Sequence, residues 1–373
     1  MYLKAIKMTK LKTFSILLGT IFFAVSCSED SETPGGDSND EDFTVEVATA
    51  SLNTMSDDMH TDIVEMVNSE GTESLTDLVD LLSEDDIFSG RIDEKATSSQ
   101  AIKERLKNFK KVFVPSSVLS VTEDDRFDFV SNLGVYNYNA SIQEFEKSEE
   151  VVDDIQINFP TATSSTNNAT LRILNYNDTK VVEDLEEIYY PTLILADLTV
   201  NDNIVVSLDY TGSFQVNGTP ESVDVTLFVI PFDYVLTFSN TESLKSTIAF
   251  TVSKNDESVI STTATVTFKT QVKKLVSAVE GEITYRDHSI KGDVDVVGME
   301  EFDETQTGDI NDYFNIALYE GTNKVGDVIL EETADGEDYD AYLVYEDGSK
   351  ELLETVLSPV IDEIEDFVNQ LEG

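Results

Sequence analysis

Residues 223–238 read Val-Asp-Val-Thr-Leu-Phe-Val-Ile-Pro-Phe-Asp-Tyr-Val-Leu-Thr-Phe. At first the apolar residues Val223, Val225 and Leu227 take odd positions, with Asp224 and Thr226 between them. From Phe228 onward the apolar set is even: Phe228, Ile230, Phe232, Tyr234, Leu236 and Phe238, with Asp233 and Thr237 odd. Period two marks a half-buried strand, because successive side chains point to opposite faces. A one-residue slip would turn every side chain to the wrong face unless an extra residue absorbs it. Pro231 stands beside the slip and cannot donate to a ladder. The pattern predicts a β-bulge or sharp bend within 227–231.

The same period governs the neighbours. Ile204, Val206, Leu208 and Tyr210 alternate with Val205, Ser207 and Asp209. So do Ile248, Phe250 and Val252; Thr262, Ala264, Val266 and Phe268; and Ile290, Gly292, Val294 and Val296. These read as antiparallel strands with one wet face. Several runs approach 13 residues, or roughly 44 Å at about 3.4 Å per residue. Asn217-Gly218 and Asn255-Asp256 have the chemistry of hairpin turns. A further hairpin is read from Gly326–Leu330 and Tyr339–Tyr345, closed by Asp347-Gly348.

Helical spacing frames this β region. After a short strand expected at 43–47, Met59, Ile63, Met66 and Val67 share a face, with Ser56 as N-cap. Gly71 is read as the end of that run and Thr72 as the next cap, ahead of Leu75, Leu78, Val79 and Leu82. A third run holds Ile102, Leu106 and Phe109. At the C-terminus Leu353, Val356, Leu357, Val360, Ile361, Ile364, Phe367, Val368 and Leu371 form an apolar stripe, with Pro359 splitting or kinking the helix after Ser358. Helices, then strands, then a helix indicate α+β. The expected fold is a large twisted antiparallel β-sheet region with N-terminal helices and a C-terminal amphipathic helix packed on it. One domain over 43–373 is expected: helical at 50–111, β-rich at 112–348 and helical at 349–372. Two β-rich lobes meeting near 300–308 are the alternative.

The first 42 residues read as an address. Lys4, Lys7, Lys10 and Lys12 precede an apolar run at 14–25, too short for a comfortable membrane span. Ala24-Val25-Ser26-Cys27 follows, and Cys27 is the chain's single Cys. Small residues before a Cys at this point resemble the lipobox of bacterial lipoproteins. That resemblance implies cleavage after residue 26 and lipidation of Cys27 with a diacylglycerol and usually an N-acyl chain, enough for stable anchoring. Residues 27–42 form an acidic tether, and Cys27-Ser28-Glu29-Asp30 resembles the surface-export signal of Bacteroidota lipoproteins. The implied place is the outer membrane, lipid-anchored and exposed at the cell surface, with the periplasmic face as the alternative.

Composition narrows the function. With 24 Lys+Arg against 74 Asp+Glu the formal charge is −50, which disfavours nucleic acid as a partner. Four of those basic residues and no acid lie in residues 1–26, so the mature chain would carry 20 against 74, a net −54. One Cys excludes a disulfide framework, and two His, His60 and His288, argue against a multi-histidine metal centre. Asp287-His288-Ser289 invites a triad reading, but adjacent residues point apart; His288 is read as a turn or surface residue and His60 as solvent-facing. No Gly-x-Ser-x-Gly elbow is present.

Calcium would take carboxylate and carbonyl oxygens. The candidates are Asp335, Glu337, Asp338 and Asp340, and the stretch Asp303-Glu304…Asp309-Ile310-Asn311-Asp312. An EF-hand loop starting at Asp335 fails, because Asp340 stands where Gly is needed. Acidic turns between strands explain both stretches as well. Lys103, Arg105, Lys107, Lys110 and Lys111 form a basic run that pairs internally or meets an anionic partner.

The resulting expectation is a non-enzymatic binding or interaction module on a membrane anchor, with no catalytic residues assigned. Its partner would be an envelope protein, a glycan or an apolar ligand. A carrier of lipid or another apolar ligand is the first alternative. A carboxylate-based hydrolase is the second.

Overall fold

A computed structural model describes residues 45–84, 121–122, 126–148, 150, 152–183, 186–272, 275–305, 307–333 and 339–358. The signal-like segment with Cys27, the tether, the run at 102–111, Asp335, Glu337, Asp338 and the C-terminal stripe from Pro359 on lie outside the described residues. The fold is α+β and dominated by strands. Among the described residues, no helix is long and apolar enough to cross a membrane. Contacts divide the chain into two compact units: one holds residues up to Glu65, Asn240–Val252 and Glu257 onward, the other Met66–Ser239 and Ser253–Asp256. Residues 300–308 fall inside the first.

Helix α1, Val45–Val67, belongs to the first unit through Glu65. The strand expected at 43–47 is therefore helical from Val45, and Ser56 is a buried interior residue instead of a cap. Phe43-Thr44-Val45-Glu46-Val47 alternates like a strand. The stripe that decides the matter is Ala48, Leu52, Met55 and Met59, all buried and spaced for one helix face.

In the second unit α2, Glu70–Glu84, follows a two-residue break. Gly71 opens α2 instead of ending α1, and the Ser69 hydroxyl accepts from Thr72 N–H at 3.2 Å, as an N-cap does. Glycine is needed for space: a Cβ there would sit 2.6 Å from the Val205 carbonyl oxygen and 2.7 Å from Val229. Strands β1 (Val121–Thr122), β2 (Gly134–Asn139), β3 (Glu144–Lys147), β4 (Ile155–Phe159) and β5 (Ala169–Glu183) come next, with a short helix α3 (Phe129–Asn132) before β2. They are followed by β6 (Glu186–Val200), β7 (Asn203–Phe214), β8 (Pro220–Val229) and β9 (Phe232–Ser239).

From β4 to β9 each strand pairs antiparallel with the next. β2 pairs antiparallel with β3 and parallel with β4, so this sheet is mixed. β5 and β6 reach 15 residues each, as the long periodic runs lead one to expect. The unit's core is built on Ile155, Ile157 and Phe159, all fully buried, together with Leu198, Val205 and Leu78 of α2.

The parity slip at 227–231 has a different cause from a bulge. The chain reverses there: Val229 pairs with Phe232, and a cis Ile230–Pro231 peptide forms the two-residue turn. What reads as one irregular strand is two strands of a hairpin. A bulge of that kind does occur in β7: opposite Leu198 and Thr199 of β6 the register shifts, as it also does along β5 and near the end of β7. Val205 is the extra residue, which is why it is buried while Ile204 is 53% exposed.

The first unit continues with β10 (Lys245–Lys254, its residues through Val252), β11 (Glu257–Phe268), β12 (Val276–Tyr285) and β13 (His288–Asp295). Helix α4 (Val296–Thr305) and a 3-10 turn (Ile310–Tyr313) precede β14 (Phe314–Glu320), β15 (Asn323–Glu332), β16 (Tyr339–Tyr345) and β17 (Lys350–Leu352). β11 to β17 form an antiparallel meander. The expected hairpin of β15 and β16 is present, and Asp347-Gly348 turns the chain into β17. Residues 353–358 are helical and bury Leu353, Val356 and Leu357 in the same core as the α1 stripe, Ile316, Leu318 and Leu343.

Candidate functional site

The residues that come together for chemistry lie in the second unit, at the start of α2. Glu70 and Glu73 occupy its first turn. Ser74 and Asp77 lie four residues beyond each, so all four project from one helix face. Carboxylates at this end face the positive pole of the helix. The facing wall is the 161–168 loop between β4 and β5. Asn168 holds that loop shut: its Oδ1 accepts from Thr161 N–H at 2.9 Å, and its Nδ2 donates to the Thr161 hydroxyl at 3.1 Å. The Asp77 carboxylate accepts from Ala162 N–H at 2.8 Å and ties the loop to α2.

Between these walls is a groove of about 750 Å³. Asn201, at the β6–β7 turn, closes one side. Of the twelve lining residues, only Ala162 and Val200 are apolar. Ser74 is 3% exposed and lines the groove. A serine hydroxyl in a groove lining can both donate and accept hydrogen bonds. The remaining lining supplies hydroxyls, amides and three carboxylates. That set suits a hydroxylated or cationic polar ligand; an apolar one would leave these groups unpaired.

The sequence-derived candidates are distributed differently. His288 is half-buried at the start of β13, with Nε2 2.8 Å from the Ser51 hydroxyl of α1. Its neighbours Asp287 and Ser289 do not assemble on it as a triad. His60 is exposed on α1. Asp340 pairs opposite Glu331 in the β15–β16 ladder. Asp309 caps the 3-10 turn, and the Asn311 backbone N–H and side-chain amide hold its carboxyl below the usual range. Asn311 in turn clamps β15, donating to the Leu330 carbonyl at 3.0 Å and accepting from Leu330 N–H at 2.8 Å. Those contacts are structural. Among the described residues, no group of three or more His, Cys, Asp or Glu is placed to hold a metal ion.

The aromatic residues of 228–238 do not line this groove: Phe232 is fully buried, and Tyr234 packs on the core. Sequence reasoning missed the groove. The available signal was the spacing of Glu70, Glu73, Ser74 and Asp77.

Comparison with family models, curated proteins and solved structures finds no match to the chain. The functional reading therefore rests on its own residues.

Proposed function

We propose that this chain is a membrane-anchored cell-envelope lipoprotein that acts as a non-enzymatic binding module, with the α2 groove as its binding surface. The observation that carries the binding reading is the groove's lining, ten polar residues of twelve, the buried Ser74 among them. The chemistry of that lining favours a hydrophilic ligand over the apolar cargo of a lipid carrier. The anchor reading is supported by the lipobox-like Ala24-Val25-Ser26-Cys27 and the acidic tether behind it. Outer-membrane attachment with surface exposure is supported by the resemblance of Cys27-Ser28-Glu29-Asp30 to a surface-export signal.

The anchor is tested by cell fractionation. The wild-type chain should sediment with membranes and show a lipid-modified Cys27 peptide by mass spectrometry, and Cys27→Ser should lose both. An unmodified Cys27 in membrane-derived protein would refute it. Protease shaving of intact cells separates the cell surface from the periplasmic face.

A further inference from the structure

Thr54 and Thr61 of α1 satisfy their hydroxyls on the carbonyls four residues back, those of Ala50 and Asp57. Ser51 does otherwise: its Oγ lies 2.8 Å from His288 Nε2, across 237 positions of sequence. Both residues belong to the first unit, and both are half-buried. Ser51 stands at the border of the packed face of α1. Ala48 and Met55 beside it are buried, while Val47, one turn back, is 50% exposed. His288 opens β13, and Glu320 of β14 is its direct partner in the antiparallel ladder. Directly opposite residues share a face with Cβ atoms about 5 Å apart, which brings the Glu320 carboxylate within reach of the imidazole. Tyr285, opposite His288 on β12, is taken up by Asp62.

We infer that Ser51 is an acyl-acceptor site, with His288 as its base and Glu320 as a positioning residue for the imidazole. A serine hydroxyl is a weak nucleophile until an adjacent base activates it and a third group orients that base. Along the sequence His288 has Asp287 and Ser289 beside it, but strand neighbours point apart. The fold instead brings it a serine from α1 and a carboxylate from β14. The acyl donor is an activated ester of a short acyl group, for which the exposed Val47 side chain is an apolar rest beside Ser51. In the transfer Ser51 Oγ bonds to the carbonyl carbon, and its proton passes to His288 Nε2. The bond from that carbon to the leaving oxygen then breaks, and the departing group takes the proton from the imidazolium. The products are an ester on Ser51 and a free alcohol. One transfer per chain is all this requires. It adds a modification site in the first unit and does not rest on the α2 groove.

The test uses the full-length Cys27→Ser chain, which has no thiol to compete, and p-nitrophenyl acetate as the acyl donor. Release of p-nitrophenolate gives the rate, and peptide mass spectrometry gives the acetylated residue. Ser51 should be acetylated at least about a hundredfold faster than the exposed Ser141, the scale of general-base assistance. His288→Gln, which keeps a polar group at Ser51, should lose that advantage together with the rise of rate with pH that an imidazole base imposes. Glu320→Ala should slow the reaction, and Glu320→Asp should restore part of it. Melting temperatures of the variants separate a lost base from a lost fold. Ser51 reacting no faster than Ser141, or equally fast in folded His288→Gln, would overturn the inference. An unchanged rate in Glu320→Ala would overturn the role of Glu320.

Discussion

Arg286 Nη2 donates to Asp62 Oδ2 at 2.6 Å, joining residues 224 positions apart in the sequence. The Tyr285 hydroxyl donates to the same oxygen at 2.8 Å, and Arg286 Nε lies 3.2 Å from that hydroxyl. Asp62 is 1% exposed, whereas the Arg286 side chain remains 40% exposed. This pins α1 to the β12–β13 turn, where Arg286 takes a positive φ of 49°. Asp62→Ala should cost about 2–3 kcal/mol, below the 3–5 of a wholly buried pair because Arg286 can turn to water. Asp62→Asn, which keeps an acceptor for Tyr285, should cost less. Urea unfolding midpoints measure both.

Tyr210 is fully buried, and its hydroxyl has no hydrogen-bond partner among the described residues. Tyr210→Phe should therefore be neutral or stabilising by up to about 1 kcal/mol, since it removes an unpaired polar group. Tyr285→Phe should instead destabilise by about 1 kcal/mol, because its hydroxyl is bonded to Asp62. Thermal unfolding of the two variants in parallel tests the contrast.

Burial pushes the Tyr176 and Tyr234 phenols from the ordinary 10.0 up to about 12. Burial also raises Tyr210, Tyr285 and Tyr345. Above pH 10 the unfolded chain releases these protons while the folded chain keeps them, so the folded state binds more protons and stability falls as pH rises. Stability from Tyr176 and Tyr234 should be intact below about pH 10 and lost toward pH 12. The chain contains no Trp, so tyrosinate absorbance can follow the process cleanly. The absorbance should rise together with loss of strand circular dichroism, not ahead of it.

The charge of −50, or −54 after removal of residues 1–26, makes self-repulsion a substantial load on the folded state. The melting temperature should rise from low to moderate salt as screening sets in. A flat or falling dependence would show that local pairs such as Arg126–Asp178 and Arg172–Asp154 outweigh the long-range repulsion.

The β meander was legible because half-buried strands write period two directly into the sequence, as at Thr262–Phe268. The β8–β9 hairpin was not, because a two-residue turn with apolar Ile230 and Pro231 leaves no polar gap between the strands. The start of α1 was masked by the alternation at 43–47, which tertiary packing of Ala48 and Leu52 overrides. The groove was hidden for another reason. Its walls come from residues near 70, 161 and 201, each of which reads alone as an ordinary polar turn or helix start.

The most direct test of binding in the groove is mass spectrometry of the small molecules that co-purify natively with the wild type and with Ala162→Trp. The Ala162 side chain lines the groove, while its backbone N–H, which holds Asp77, is unaffected by the change. A hydrophilic molecule retained by the wild type and depleted in the variant is expected. The same complement in both, or an enriched apolar lipid in the wild type, would contradict the groove as a polar binding site.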